Sequence, residues 1–229
     1  MVRKLVMEAI GTFFLVFTIG QVVLDPGAGA LAPLAIGTAL MVFVYAGGHI
    51  SGAHYNPAVT LAVYLRGKAG RAELLGYPIV QVLAGLAACL AVGALKGDTQ
   101  PAAVAPGVGV TLLAEFLFTF ALAFVILNVA TARGTEGNSY FGLAIGFTVM
   151  TGAYAVGGIT GGAFNPAVAV SLVALDLVPA SSLWVYFVAQ FAAGAVAAIV
   201  FKALDLGDDK PTTATPAEQA ALKGAASTD

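Results

Sequence analysis

The chain has 229 residues, of which 59% are hydrophobic and only 10% are charged, and its mean hydropathy is +0.93. Because a soluble domain carries roughly 25% charged residues, this composition excludes an ordinary soluble protein and predicts one that lies in a membrane. The net charge is −2, and Lys and Arg are neither clustered nor interleaved with aromatic residues, so we expect no nucleic-acid partner.

Six apolar runs approach the roughly 20 residues that a helix needs to cross a bilayer. They predict an all-α membrane protein with six transmembrane helices, at about residues 5–24, 31–48, 74–95, 110–131, 140–157 and 181–203. The residues after Leu204 lack this hydrophobicity and are rich in Asp, Ala, Thr and Pro. We therefore expect residues 205–229 to form a disordered cytoplasmic tail.

Two near copies of a twelve-residue motif lie between these runs. Residues 48–59 read GHISGAHYNPAV, and residues 157–168 read GGITGGAFNPAV. In each copy Asn and Pro precede an apolar run, which is the start signal of a helix with Asn as N-cap and Pro at the first helical position. The first run lasts only from Pro57 to Leu65, and at about 1.5 Å per residue it covers roughly half of a bilayer. Each copy therefore predicts a loop followed by a half-spanning helix.

Other segments recur at nearly the same spacing, which indicates an internal repeat. The segment Leu34–Gly37 returns as Leu143–Gly146, at the offset that also separates the two motif asparagines (143 − 34 = 109 and 165 − 56 = 109). Each repeat then consists of two spans, a half-span and a third span. We expect a single channel domain over residues 1–204, with one repeat at about 5–95 and the other at about 110–203.

An odd number of full crossings in each repeat forces the second repeat to enter the membrane from the opposite side. In this inverted arrangement nine of the ten Lys and Arg residues fall on one side, and only Lys96 falls on the other. The excess of positive charge predicts that both termini are cytoplasmic. We expect an integral protein of the plasma membrane.

Two half-helices imply a lumen, because non-helical backbone at membrane depth is tolerated only where protein buries it or water solvates it. In inverted repeats the two half-helices meet near the midplane by their N-termini, each with a partial charge of roughly +0.5. Such a midplane repels cations, while Asn56 and Asn165 offer N–H donors and the loop carbonyls offer acceptors. The pattern predicts a passive pore that carries water by its oxygen.

The twin Asn-Pro-Ala triplets, the run Ser51–Thr60 and the Glu8 segment together resemble the aquaporin, or major intrinsic protein, family over about residues 5–203. The triplets are Asn56, Pro57, Ala58 and Asn165, Pro166, Ala167. The resemblance implies a right-handed bundle with a pore in each protomer, a homotetramer, and passive transport of water or small uncharged solutes.

The resemblance also implies a selectivity filter on the extracellular side of the two asparagines. By spacing, the filter residues are Ile36, Ala153, Gly162 and Val168. The family usually has Arg at the position of Val168 and often an aromatic residue at that of Ile36. Without a fixed charge and an aromatic ring, the filter is predicted to be apolar and wide.

These features predict a water channel with loose selectivity that admits small neutral solutes. A channel primarily for small solutes, such as glycerol, urea, ammonia or hydrogen peroxide, is the alternative. The wide filter favours the alternative. Ala169 favours water, because glycerol-conducting members typically carry Asp at this position.

Few polar side chains lie inside the predicted spans. Glu8 and Glu115 are acidic residues at equivalent places in the two repeats, and intramembrane carboxylates are candidates for proton coupling. The resemblance instead implies that each braces the loop before a half-helix. We expect His54 to line the pore on the cytoplasmic side and His49 to be a packing residue.

No pattern typical of an enzyme is present. The sequence has no nucleophile–base pair, phosphate loop or paired-carboxylate site, so we expect neither an enzyme nor a cofactor. Two His five residues apart lack further ligands for a metal, and Cys89 is expected to be a small buried residue. A coupled transporter and a junctional membrane protein are disfavoured, because midplane charge beyond the two Glu is absent and the extracellular loops are short.

Overall fold

Six long helices and two short ones form the fold in the residues that the structure, a computed structural model, describes: 1–97, 99 and 103–207. The long helices, each able by length and composition to cross a membrane, are α1 Val2–Val23, α2 Ala32–Ser51, α4 Arg71–Lys96, α5 Val108–Thr131, α6 Phe141–Thr160 and α8 Leu183–Ala203. The short helices, of nine residues each, are α3 Pro57–Leu65 and α7 Pro166–Ala174. This confirms the predicted all-α membrane fold.

Three single turns of 3₁₀-helix connect the longer elements, at Gly29–Leu31, Arg133–Thr135 and Ala180–Ser182. After α8 the chain continues as a turn to Gly207. The rest of the predicted tail lies outside the described residues.

The two repeats pack in the same way, and the short helix of each contacts a long helix of the other. In the first repeat α1 packs on α2 and α4, and in the second α5 packs on α6 and α8. The repeats meet where α2 packs on α6, while α3 lies against α8 and α7 lies against α4. Each half-helix therefore packs extensively on a full helix of the other repeat.

Glycines permit these contacts at equivalent positions. A Cβ added to Gly194 of α8 would lie 2.5 Å from the carbonyl oxygen of Ala58, and one added to Gly85 of α4 would lie 2.5 Å from Oγ of Ser171. Gly37 and Gly146 similarly face each other's backbone where α2 crosses α6. Small residues let helix backbones approach closely in a membrane, and here they bring both half-helices to the centre of the bundle.

Helix ends differ from the predicted spans where caps, and not hydropathy, set the boundary. α2 and α6 extend three residues beyond the predicted 48 and 157, to Ser51 and Thr160, where Gly52 and Gly161 take left-handed φ angles of 88° and 83°. α4 begins at Arg71, three residues before the predicted start. The Glu73 carboxylate accepts the backbone N–H of Gly70 at 3.1 Å, so this polar turn belongs to the helix.

Candidate functional site

The two motif asparagines start the half-helices. Oδ1 of Asn56 accepts the backbone N–H groups of Ala58 at 2.9 Å and Val59 at 3.3 Å. Oδ1 of Asn165 accepts those of Ala167 at 2.9 Å and Val168 at 3.4 Å. Each carboxamide oxygen is thereby committed to capping its own helix, and the orientation of each Nδ2 group follows from that cap.

The Nδ2 groups tie the two loops together. Asn56 Nδ2 donates to the carbonyl oxygen of Phe164 at 2.9 Å, and Asn165 Nδ2 donates to that of Tyr55 at 2.8 Å. One N–H of each Asn is used in this reciprocal pair. The second N–H of each can donate to a molecule in the adjacent cavity, whose wall includes both asparagines.

Two buried carboxylates hold the loops that precede the half-helices. Oε1 of Glu8 accepts from the Ser51 hydroxyl at 2.6 Å and the backbone N–H of His54 at 2.9 Å, while Oε2 accepts from the backbone N–H of Tyr55 at 2.6 Å and the Gln81 amide at 2.9 Å. Four donors thus converge on one carboxylate that has no exposed surface.

Glu115 repeats this network around the second loop. Its oxygens accept from the Thr160 hydroxyl at 2.8 Å, the backbone N–H groups of Ala163 at 3.1 Å and Phe164 at 2.7 Å, and the Gln190 amide at 2.9 Å. The two networks match donor for donor. Neither carboxylate lines the central cavity described below; each lies behind the wall residues that it holds.

The bonds to Glu8 and Glu115 also set the direction of the loop carbonyls. In a trans peptide the N–H and C=O point in opposite directions, so the N–H groups that face the carboxylates turn the carbonyls of Ala53, His54, Gly162 and Ala163 toward the cavity. Left-handed φ angles at Ala53 (50°), Tyr55 (48°) and Phe164 (48°) accompany this arrangement. The strain, of order 1–3 kcal/mol per residue, is sustained by the surrounding bonds.

A cavity of about 310 Å³ runs along the loops and contacts both Asn56 and Asn165. All four predicted filter residues lie in its wall: Ile36, Ala153, Gly162 and Val168. Their side chains are apolar or absent, and among the described residues no Lys or Arg lines this cavity. The structure therefore brings the four positions together around one space that contains no fixed side-chain charge.

The cavity continues toward the end of the bundle where α1 begins and α8 ends, which we call the termini side; the other end, near Val23 and Thr160, is the filter side. Two further cavities, of about 570 and 410 Å³, open on the termini side. The first shares Ala53, Ile126 and Ile145 with the central cavity, and the second shares His54 and Ile126. The central cavity thus reaches Val23 on the filter side and adjoins the two openings on the termini side.

The two histidines occupy different environments. His54 is 8% exposed and lines the central cavity; its Nδ1 lies 3.1 Å from Oγ1 of Thr60, and its ring meets that of Tyr77 edge-on at 5.1 Å. His49, expected to be a packing residue, is instead exposed in the wall of a cavity on the termini side. That prediction was wrong because His49 lies on the outer face of the last turn of α2, whose buried face carries Ser51 against Glu8 instead.

The hydrogen bonds of several residues around the two carboxylates were not predicted. Ser51, Gln81 and Tyr77 complete the first network, with the Tyr77 hydroxyl donating to the Ser51 carbonyl at 2.7 Å. Their counterparts Thr160, Gln190 and Tyr186 complete the second. All three pairs are separated by the repeat offset (160 − 51, 190 − 81 and 186 − 77 = 109), and this common spacing is the sequence signal that would have found them.

Comparison with known proteins agrees with the geometry. The sequence matches the family described as Major intrinsic protein over residues 1–201, and again over 137–226. It is 34% identical to Aquaporin NIP1-4 of Oryza sativa subsp. japonica, over 91% of this chain and 79% of that protein. It is 35% identical to Glycerol uptake facilitator protein-like 6 of Lactiplantibacillus plantarum, over 90% of this chain and 100% of that protein.

A solved structure shows the same fold. The aquaglyceroporin from Plasmodium falciparum superimposes with a TM-score of 0.74 at 22% sequence identity, covering 87% of this chain and 95% of that one. Together with the six apolar helices, the family match identifies an integral membrane protein and a transporter, not an enzyme. The chain belongs to the major intrinsic protein family of channels for water and small solutes.

Proposed function

We propose that the protein is a passive channel for water with loose selectivity, which also admits small neutral solutes. One observation carries this proposal: the predicted filter residues and both motif asparagines share one cavity, and no side chain of the filter is charged or able to donate a hydrogen bond. Among the side chains that line this cavity, those of the two asparagines and His54 offer polar groups to water, and the loop carbonyls offer acceptors. A ring of this kind sorts solutes by size and by charge, and only weakly by their hydrogen-bonding pattern.

The exclusion of ions rests on the half-helices. The N-termini of α3 and α7 meet at Asn56 and Asn165, and each contributes a partial positive charge of roughly +0.5. Among the described residues, the carboxylates at this depth are those of Glu8 and Glu115. Each accepts from four donors and so offers little stabilisation to a cation. The partial charges do not repel a neutral molecule in this way, which supports a pore for uncharged solutes.

A channel primarily for small solutes, such as glycerol, urea, ammonia or hydrogen peroxide, is the second candidate. The side-chain-poor filter wall at Ala153 and Gly162 favours it, as does the similarity to a protein named as a glycerol uptake facilitator. Ala169, which is fully buried and apolar, favours water because it supplies no acceptor next to the filter.

Stopped-flow light scattering on reconstituted vesicles tests the proposal. Vesicles that contain the protein should shrink at least several-fold faster than empty vesicles in an osmotic gradient, without any ion gradient. The same vesicles, challenged with glycerol and with urea, should reswell faster than empty ones. Shrinkage at the rate of empty vesicles, with incorporation verified, would exclude a water channel. Solute entry without accelerated water flow would favour the second candidate.

We further propose that residues 1–204 form one channel domain, that four copies assemble as a homotetramer, and that the protein lies in the plasma membrane with both termini cytoplasmic. Charge supports the orientation: Arg3, Lys4, Lys68, Arg71 and Lys202 belong to the termini side, whereas Lys96 ends α4 on the filter side. Native mass spectrometry of the detergent-solubilised protein tests the assembly, and a mass other than that of four chains would contradict it.

A further inference from the structure

We propose that Gly157 and Gly158 are specificity-determining residues: by leaving one wall of the cavity without side chains, they admit uncharged solutes larger than water. Both residues lie near the end of α6 and line the central cavity. Neither belongs to the four filter positions that the family resemblance implies. The inference rests on the proposed function and extends it to the size of the solute.

The space next to these glycines is empty. A Cβ added to Gly158 would meet no atom within 4 Å, and one added to Gly157 would meet only Cβ of Ala153, at 4.0 Å. Gly157 follows Ala153 by four residues and so lies on the same helix face, directly beyond the filter. Side chains at these positions would therefore project into the cavity without displacing protein atoms.

The loop that follows α6 adds no side chain where it contacts Gly157. Gly162 lies so close that a Cβ added to it would be 3.2 Å from Cα of Gly157. Ala153, Gly157 and Gly162 thus form a continuous wall that carries a single methyl group. The bulk of the constriction comes from the other walls, where Ile36 and Val168 line the same cavity.

The first repeat does not share this opening. Its equivalent residues, at the offset of 109, are Gly48 and His49 (157 − 48 = 109 and 158 − 49 = 109). A Cβ added to Gly48 would lie 3.3 Å from the Phe141 ring, and His49 places an imidazole in the wall of a cavity on the termini side. The equivalent position in the first repeat is therefore closed. Neither repeat symmetry nor helix packing explains the open space at Gly157 and Gly158, which belongs to the filter side alone.

Leucine substitutions test the inference. Gly157→Leu and Gly158→Leu should reduce the permeability of reconstituted vesicles to glycerol and urea by about tenfold or more, and to water by about threefold or less, because a partly filled pore excludes the larger solute first. Gly93→Leu is the matched control: Gly93 is also an exposed helical glycine whose added Cβ would meet nothing within 4 Å, but it does not line the cavity. Its permeabilities should equal those of the wild type.

A cysteine variant gives a second readout that needs no bulky side chain. Cys89, the one cysteine in the sequence, is buried, so wild type should be insensitive to a water-soluble methanethiosulfonate reagent. In Gly158→Cys the thiolate should attack the reagent sulfur, form a disulfide and release methanesulfinate. The attached group should then block glycerol entry, whereas Gly93→Cys treated in the same way should conduct as before.

The outcomes separate the inference from the function on which it rests. If wild type conducts water and glycerol but both Leu variants and modified Gly158→Cys keep glycerol entry within about twofold of wild type, the inference is wrong and the proposed function stands. Wild type that passes water alone would overturn the inference together with the proposed loose selectivity, and would leave the water channel standing. Wild type that accelerates neither water nor solute would overturn the proposed function itself.

Discussion

The buried carboxylate of Glu8 is the common acceptor for four buried donors. In Glu8→Ala the Ser51 hydroxyl, the backbone N–H groups of His54 and Tyr55, and the Gln81 amide all lose their acceptor. Each buried donor left unpaired costs about 1–3 kcal/mol, so we expect a large loss of stability, measured as a lower unfolding temperature in detergent. Glu73→Ala serves as control, since it removes only a partly exposed ion pair with Lys4 at 2.8 Å and one exposed hydrogen bond from Gly70, so it should cost about 1 kcal/mol.

Substitution by glutamine separates bracing from proton coupling. The carboxamides of Glu8→Gln and Glu115→Gln retain one acceptor oxygen each, so we expect partial loss of stability and transport that does not depend on a proton gradient. Vesicles with an imposed pH difference provide the measurement. Solute uptake that follows the pH difference in wild type, and disappears in these variants while stability is kept, would show that the protein is a coupled transporter.

Substitutions of Val168 test the effects of adding positive charge and side-chain bulk to the filter. Val168→Arg should reduce glycerol entry and proton leak while largely retaining water flow, because the guanidinium adds both bulk and positive charge to the cavity wall. Val168→Leu adds bulk alone and should reduce glycerol entry without altering proton leak. Glycerol reswelling and a trapped pH dye report the two effects in the same vesicles. No change of either quantity in Val168→Arg would mean that the constriction lies elsewhere.

At the scale of the element, the position of α3 depends on its contact with α8. Gly194→Val would force side-chain atoms against the carbonyl of Ala58, only 2.5 Å from an added Cβ, and should displace the half-helix or destabilise the bundle by about 1–3 kcal/mol. We expect a lower unfolding temperature and a reduced water permeability. Gly93→Val should leave both nearly unchanged, since its added Cβ meets no atom within 4 Å. Equal behaviour of the two variants would contradict this account of the packing.

The elements whose start is encoded locally could be predicted to the residue. α3 and α7 begin at Pro57 and Pro166 as expected, because an Asn cap and a Pro at the first helical position are short-range signals. The end of α6 was missed by three residues, since the left-handed turn at Gly161 depends on how the loop folds back. Gln81 could not be recognised from its own surroundings. A single Gln in an apolar helix can be assigned to this network only when Glu8 of another helix is known to face it.

At the scale of the whole molecule, the start of α1 and the end of α8 lie on one side of the bundle. Tags added before Met1 and after Asp229 should therefore be cleaved by protease from the same side of sealed cell-derived vesicles, and we expect that side to be the cytoplasmic one. Inside-out vesicles should expose both tags, and right-side-out vesicles should protect both. Exposure of one tag only would exclude an even number of crossings and with it this topology.

The reciprocal bonds from Asn56 to Phe164 and from Asn165 to Tyr55 form a contact of the isologous type, in which each partner gives what it receives. Two identical copies of one repeat could make the same pair of bonds across a dyad axis. Such a homodimer would have the same residues at both entrances, with either two openings like that at Gly158 or two walls like that at His49. A pore that is open and uncharged at one entrance and bears an imidazole at the other requires two repeats of different sequence, and this chain contains both.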